Sequence, residues 1–374
     1  MSRDPLHGRG ARTNAGGRFE RFVAEAFDDG WTPEEVRPLE TIVTPELAKS
    51  IISTNQSPDI SFDQSINPYR GCEHGCIYCY ARPNHAYVGL SPGLDFETKL
   101  FVKANAAELL EAEFSKASYK PKTIMLGGVT DIYQPIERGY GVTRALLEVM
   151  ERWRHPVALI TKSQLVMRDI DILARLAERG LARAAVSITT LDRRIARVME
   201  PRAATPQRRL EAVRVLTQAG VPTTVMMAPI VPAITDNEIE AVLQACAEAG
   251  ASAAGYVVLR LPLEIKDLFC EWLAEHFPDR AARVMSLVRS MRNGRDYDPE
   301  WGKRQKGEGP YAKLIADRFV AARRRFGLDK PSLPLDHTQF RRPLGVGGQQ
   351  DLFAEAPEPL RAVAEPRAKF DPNG

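Results

Sequence analysis

One phrase recurs along the middle of this chain and limits its fold more than any other feature. A helical stretch ends at a glycine, and within one to three residues a short apolar run begins. Gly180, Gly220 and Gly250 mark it three times, ahead of Ala184-Ala-Val-Ser-Ile-Thr, Thr223-Thr-Val-Met-Met-Ala and Gly255-Tyr-Val-Val-Leu. Thr123-Ile-Met-Leu-Gly and Val157-Ala-Leu-Ile-Thr are further runs of this kind. Each is continuously apolar rather than alternating, which predicts parallel strands covered on both faces. Repeated βα units with right-handed crossovers give a parallel sheet, open or closed into a barrel, with chemistry at the carboxyl ends of the strands. The fold class is therefore α/β.

Helix signals agree. Thr205-Pro206 predicts a helix with proline at its first position, ending before Gly220. Arg168 to Gly180 predicts another. Thr235-Asp-Asn-Glu238 predicts a capping box, followed by Ile239, Val242, Leu243 and Cys246 on one apolar face. The 374 residues fit two small domains or one large barrel with extensions, and 44% hydrophobic against 26% charged residues permits a sizeable core. Residues 1–35 predict a flexible basic arm, 36–280 the barrel, 281–344 a basic and aromatic extension, and 345–374 a disordered tail. No apolar run approaches the ~20 residues a membrane helix needs, and no signal peptide is evident, so a cytoplasmic protein with no membrane partner is expected.

Five cysteines are too few and too unevenly spread for a secreted disulfide framework. Three crowd into Cys72-Glu-His-Gly-Cys76-Ile-Tyr-Cys79, a C-x3-C-x2-C spacing. Soft thiolates from one short loop suit an iron–sulfur cluster or a zinc ion. Zinc motifs use two ligand pairs far apart in sequence, and only one half exists here, with His74 or His85 as the available fourth ligand. Cys246 and Cys270 read most simply as packing residues. If neither ligates, one iron lacks a protein ligand and the cluster has an open, reactive position.

The segment Gly71-Cys-Glu-His-Gly-Cys-Ile-Tyr-Cys-Tyr80 resembles the cluster loop of the radical S-adenosylmethionine (SAM) superfamily, with Tyr78 at the usual aromatic position before the third cysteine. Thr130-Asp-Ile-Tyr-Gln-Pro-Ile-Glu137, Ser187-Ile-Thr-Thr190 and Glu200-Pro-Arg202 resemble the branch that includes spore photoproduct lyase, over about residues 40–340. The resemblance implies an open, partial (β/α)6 barrel of the TIM-like type with a helical C-terminal extension. It implies a [4Fe-4S] cluster on Cys72, Cys76 and Cys79, and SAM held by its amino and carboxylate groups on the fourth iron. It also implies a small reductant protein, such as flavodoxin or ferredoxin, as partner.

Thr130, Lys162 and Ser187 terminate predicted strands. They read either as ordinary strand-end capping or, by the resemblance, as SAM contacts, with Lys162 on the carboxylate. Tyr78 and Tyr80 would flank the adenine or the cluster, and backbone near Ala228 would border the cofactor. Asp131 and Glu137 are substrate-side candidates, with loop capping the plainer role for Asp131. Glu200 and Arg202 predict an internal ion pair. Met125-Leu-Gly-Gly-Val-Thr130 has no cysteine where the lyase places its hydrogen donor, which implies another donor or another reaction.

Residues 289–330 hold twelve Lys/Arg against six Asp/Glu, a net +6, interleaved with Tyr297, Trp301 and Tyr311. Basic side chains bind phosphate and aromatics stack on bases, so a nucleic acid is a candidate partner and a nucleic acid base a candidate substrate. The plainer reading is a solvated helix face plus a loop folded over the barrel mouth. A metal-stabilised nucleic-acid-binding protein without turnover is the alternative to a radical SAM enzyme.

Overall fold

The computed structural model describes residue 6 and residues 8–19, 39–331 and 334–343. Residues up to Arg341 form one unit and Arg342–Gly374 a second; everything below concerns the first. The predicted tail and most of the predicted arm's second half lie outside the described residues.

Six parallel strands alternate with helices: β1 (Gln64–Ile66), α1 (Ala106–Ser115), β2 (Ile124–Leu126), α2 (Val142–Arg152), β3 (Val157–Thr161), α3 (Ile170–Glu178), β4 (Ala182–Ser187), α4 (Pro206–Gln218), β5 (Thr223–Ile230), α5 (Ile239–Glu248), β6 (Ala253–Val258) and α6 (Ile265–His276). The strands pair in that order, and Ile52–Thr54 adds an antiparallel edge beside β1. This is the expected mixed α/β architecture with a parallel sheet. A small second sheet joins Ile42–Glu46, Lys99–Lys103 and Tyr69–Arg70. Beyond α6 come α7 (Pro278–Ser290) and α8 (Gly309–Arg325), the expected helical extension.

Gly180, Gly220 and Gly250 have φ of 68°, 78° and 97°. A side chain is disfavoured there, so each glycine ends its helix and turns the chain into the next strand. Pro206 does open α4. The capping box, in contrast, does not form. Thr235 accepts from Val231 N, and Glu238 reaches the β4 exit instead, accepting from Thr190 Oγ1 and Leu191 N. A loop that needed its amides satisfied took the carboxylate from its own helix.

The strands are not covered equally on both faces. Along β4 and β5, buried residues alternate with half-buried ones. Leu126, Leu159, Val186, Val225 and Met227 face the helices and are essentially water-free. The other face is fixed by register: Met125 aligns with Ala158, Ile160 with Ala185, Ser187 with Met226, and Met226 with Gly255. Met125, Ile160, Ala185, Met226 and Gly255 on this face are only half-buried, whereas Ala158 and Ser187 are buried. A Cβ on Gly255 would lie 2.8 Å from Met226 Sδ. Apolar runs concealed this difference, because small apolar residues also line the inner face.

Residues 8–19, read from sequence as part of a flexible arm, are docked. Gly10 and Ala11 amides donate to the Glu97 carboxylate at 2.9 and 2.8 Å, Leu94 N donates to Thr13 O, and Asn14 exchanges hydrogen bonds with Asp95. A Cβ on Gly10 would fall 1.8 Å from Gly75 O, so only glycine permits this close approach.

Candidate active site in the barrel mouth

The three-cysteine loop leaves the carboxyl end of β1 and turns back through Gly71 and Gly75, both at positive φ (73° and 66°). Cys72 and Cys76 are buried and Cys79 is half-buried. A local turn holds the thiols on one loop: Gly75 N donates to Cys72 O, and Cys79 N to Cys76 O. Burial pushes all three thiols up in pKa. For Cys76 and Cys79 the nearby Lys162 charge opposes that shift.

The loop is clamped from beneath by charge. Arg82, fully buried, donates to the carbonyls of Gly75, Cys76, Pro92 and Gly93, and pairs with Glu97, itself fully buried. Every guanidinium direction is used, which ties the loop backbone to the Pro92–Gly93 segment. From above, the Tyr78 hydroxyl donates to Glu200, whose other oxygen pairs with Arg209; Arg209 also donates to Ser187 O and Ala204 O. Burial opposes ionisation of Glu200, but the Arg209 and Lys162 charges outweigh it and hold the carboxyl below its usual range. The predicted Glu200–Arg202 pair is therefore corrected: Arg202 pairs with Glu73 at 2.9 Å, and Glu73 N donates to Gln134 Oε1. Helix α4 brings in Arg209, and no local sequence signal marks it as the partner.

Register places Lys162 and Ser187 side by side on the inner face, with Ala228 two residues beyond Met226 on the same face. The Lys162 ammonium stands 5.9 Å over the Tyr78 ring. The Thr130 hydroxyl donates to Tyr69 O at 3.1 Å, so it is a strand-end cap in this state. Asp131 accepts from Tyr133 N, Thr161 Oγ1 and Lys162 N, and lies 3.4 Å from His74 Nδ1. Burial would raise its pKa, but His74 and these donors prevail and hold it at about 2. It is a loop organiser, as the plainer reading had it. Glu137 is likewise structural, pairing with Arg168 and accepting from Tyr69 and Thr143.

Tyr80 follows Cys79 and crosses the mouth to donate to Gly128 O past β2, yet it is 47% exposed. The guanidinium of Arg260, two residues past β6, sits 5.5 Å over its ring. Sequence reading missed Arg82, Glu97, Arg209 and Arg260, because each acts through a distant partner.

Neither side-chain alternative supplies a fourth ligand. His74 is beside Asp131, and His85 Nε2 bonds Lys99 O at 2.9 Å. Cys246 lies in the core between α5 and the sheet, and Cys270 is surrounded by Asp296, Lys266, Asp267 and Arg289 rather than by the other cysteines. Among the described residues, no three His, Cys, Asp or Glu side chains converge to hold a metal ion. A zinc site needs four ligands that meet at one point ~2.3 Å from each sulfur. A cubane holds its cysteines on separate corners, so the three-thiol donor set fits it.

In the basic extension, five of the twelve cations pair with carboxylates. Arg289 pairs with Asp296, Lys303 with Glu300, Arg304 with Asp59, Lys313 with Asp317 and Arg318 with Glu240. Only Asp59 and Glu240 come from outside the extension, so these pairs lower its net charge from +6 to +4 and leave most of the excess in place.

Comparisons with known proteins accord with this geometry. A family model, the radical SAM superfamily, matches residues 66–246. An uncharacterised protein of Mycobacterium tuberculosis is 34% identical over 248 residues, 65% of this chain and 72% of the relative. An uncharacterised protein of Methanocaldococcus jannaschii is 28% identical over 193 residues, 51% of this chain and 68% of the relative. Among solved structures, spore photoproduct lyase complexed with dinucleoside spore photoproduct superposes with a TM-score of 0.54 at 16% identity, covering 76% of this chain and 79% of that one. At that identity the likeness speaks for the fold. Family membership implies a [4Fe-4S] cluster and SAM, and no described helix is long and apolar enough to cross a membrane. Three clamped thiols at the mouth of a six-stranded parallel barrel, with the matching family model and a relative at 34% identity, lead to one conclusion: this chain belongs to the radical SAM superfamily and is a radical SAM enzyme.

Proposed function

We propose that Cys72, Cys76 and Cys79 are the three protein ligands of a [4Fe-4S] cluster and that SAM lies between it and the inner face of β2–β5. The observation that carries this reading is the loop itself: three cysteines, clamped by Arg82–Glu97 and Tyr78–Glu200–Arg209, with no fourth thiol beside them. The bound cluster and SAM together supply a 5′-deoxyadenosyl radical by one-electron reductive cleavage, the electron coming from a small flavodoxin- or ferredoxin-like protein.

This chain's residues do the rest. Lys162 offers its charge to the SAM carboxylate from the inner end of β3. Ser187 and Thr130 offer hydroxyls at the ends of β4 and β2; Thr130, already donating to Tyr69 O, has lone pairs left to accept. Tyr78 and Tyr80 bracket the loop, and the backbone at Ala228 borders the inner face. The docked segment 8–19 and the buried pair beneath it keep water from the back of the loop. The substrate enters from the exposed side of Tyr80 and loses a hydrogen atom there. A nucleic acid base remains the candidate suggested by the sequence, with Arg289, Arg304 and Arg318 of the extension already paired to carboxylates.

The test is anaerobic reconstitution. About four irons per chain, the cubane stoichiometry, and 5′-deoxyadenosine formed from SAM with dithionite are expected. A full cluster that gives no 5′-deoxyadenosine overturns the reading.

A further inference from the structure

We propose that Arg260 is a substrate-binding residue that takes an oxyanionic group, phosphate or carboxylate, on the molecule entering the mouth. The proposal rests on the radical-site reading above only for the identity of the chemistry next door; the anion site itself is argued from Arg260 and its surroundings.

Several buried and half-buried arginines elsewhere in this chain are matched to carboxylates. Arg82 has Glu97, Arg168 has Glu137 and Asp169, Arg209 has Glu200, and Arg304 has Asp59. Arg260 has none within 4 Å among the described residues. Two tyrosine rings flank it instead: the guanidinium carbon lies 5.5 Å from the Tyr80 centroid and 6.0 Å from that of Tyr297, and Nη2 donates to the Tyr297 hydroxyl at 3.3 Å. Its Nε is buried and makes no hydrogen bond. Asp59, the acid that feels its charge, is committed: it accepts from Gly302 N and pairs with Arg304. Arg292, fully buried nearby and donating to Leu259 O and Lys303 O, adds a second positive charge with no carboxylate within 4 Å.

A buried N–H left unpaired is costly, more so on a charged group. Aromatic rings soften that cost for the cation while leaving its in-plane donors available. An oxyanion approaching Nε and one Nη in the bidentate manner would complete the set. The position suits a substrate contact. Arg260 follows the carboxyl end of β6, and the ring it covers belongs to the residue after Cys79. Lys162 stands on the opposite wall, on β3, so two cations are available for two anionic groups, one on SAM and one on the substrate.

The experiment is phenylglyoxal modification of the full-length holoprotein, read at Arg260 by peptide mass spectrometry, with inorganic phosphate, acetate or chloride at matched ionic strength. Phosphate or acetate is expected to slow modification of Arg260 about fivefold or more once in fivefold excess over its dissociation constant, with Arg325 unchanged. Protection by phosphate alone assigns a phosphate-bearing substrate; protection by acetate alone assigns a carboxylate. Equal protection by chloride, or none by any anion, overturns the proposal. In parallel, Arg260→Met should keep its iron content, and a tenfold rise in its KM for SAM, about 1.4 kcal/mol, would assign Arg260 to SAM and overturn the substrate role. Because the protection assay also runs on cluster-free protein, its failure is distinguishable from failure of the radical SAM reading.

Discussion

The outer wall of the barrel and its mouth are built from opposite materials. The wall is largely aliphatic: Leu126, Leu159, Leu147, Leu173 and Val225 share one buried core cluster. The mouth is held by buried charges, each facing a specific partner: Arg82 with Glu97, Arg209 with Glu200, Asp131 with His74. Aliphatic packing is non-directional and tolerates small shifts, whereas a guanidinium with every N–H engaged fixes backbone atoms in place. The comparison teaches that this chain leaves stability to the wall and positional accuracy to the mouth.

Changes that break the comparison should separate those two quantities. The largest effect is expected for Cys76→Ala, which should abolish 5′-deoxyadenosine formation and lower iron content, while thermal unfolding stays close to that of the apo wild type; a variant that still forms product would refute the ligand assignment. Arg82→Met leaves Glu97 buried without its partner, and loss of one member of a buried pair costs about 3–5 kcal/mol. It should both lower the melting temperature and halve or worse the iron retained after anaerobic gel filtration.

Leu173→Ala tests the wall alone. A buried leucine deletion costs about 2–5 kcal/mol. The melting point should fall by several degrees, yet iron per folded chain and KM for SAM should not move. If iron falls with it, wall and mouth are not separable.

The smallest effect sharpens a third region, the floor at the amino ends of the strands. There His155 is fully buried, stacked on Phe114 at 4.4 Å, accepting from the Tyr119 hydroxyl and donating to Pro156 O. Burial holds its pKa down at about 3. The folded state thus favours the neutral ring, and the unfolded chain binds the extra proton below pH ~6.5. Stability from this group is complete above that pH and is lost as pH falls toward 3. Between pH 7.5 and 5.5 the loss should be about 1.4 kcal/mol, and His155→Phe should flatten that part of the denaturation profile.

Much of this was legible in the sequence. The helix–glycine–strand phrase marked the parallel sheet because glycine at positive φ is a local requirement. The C-x3-C-x2-C spacing marked the loop because its ligands are close in sequence. Lys162 and Ser187 were singled out because they end predicted strands, and Ala228 because the resemblance pointed to it. What failed was non-local. The capping box at Thr235 read correctly as a pattern, but Glu238 was drawn to the Leu191 amide. Glu200 and Arg202 looked like a pair because they are adjacent in sequence, whereas α4 delivered Arg209. The N-terminal arm looked flexible because its stabilising partner, Glu97, lies nearly ninety residues away.

By itself, then, the sequence determined the repeating βα architecture, the three-thiol loop and the strand-end polar residues, since each follows from spacing within a few turns of chain. Only the tertiary structure decided which buried charges meet, that residues 8–19 close the back of the loop, and that Arg260 stands at the mouth without a carboxylate. Those are outcomes of helices and strands converging from distant parts of the chain, where each buried charge must find its counterion among whatever the packing brings near.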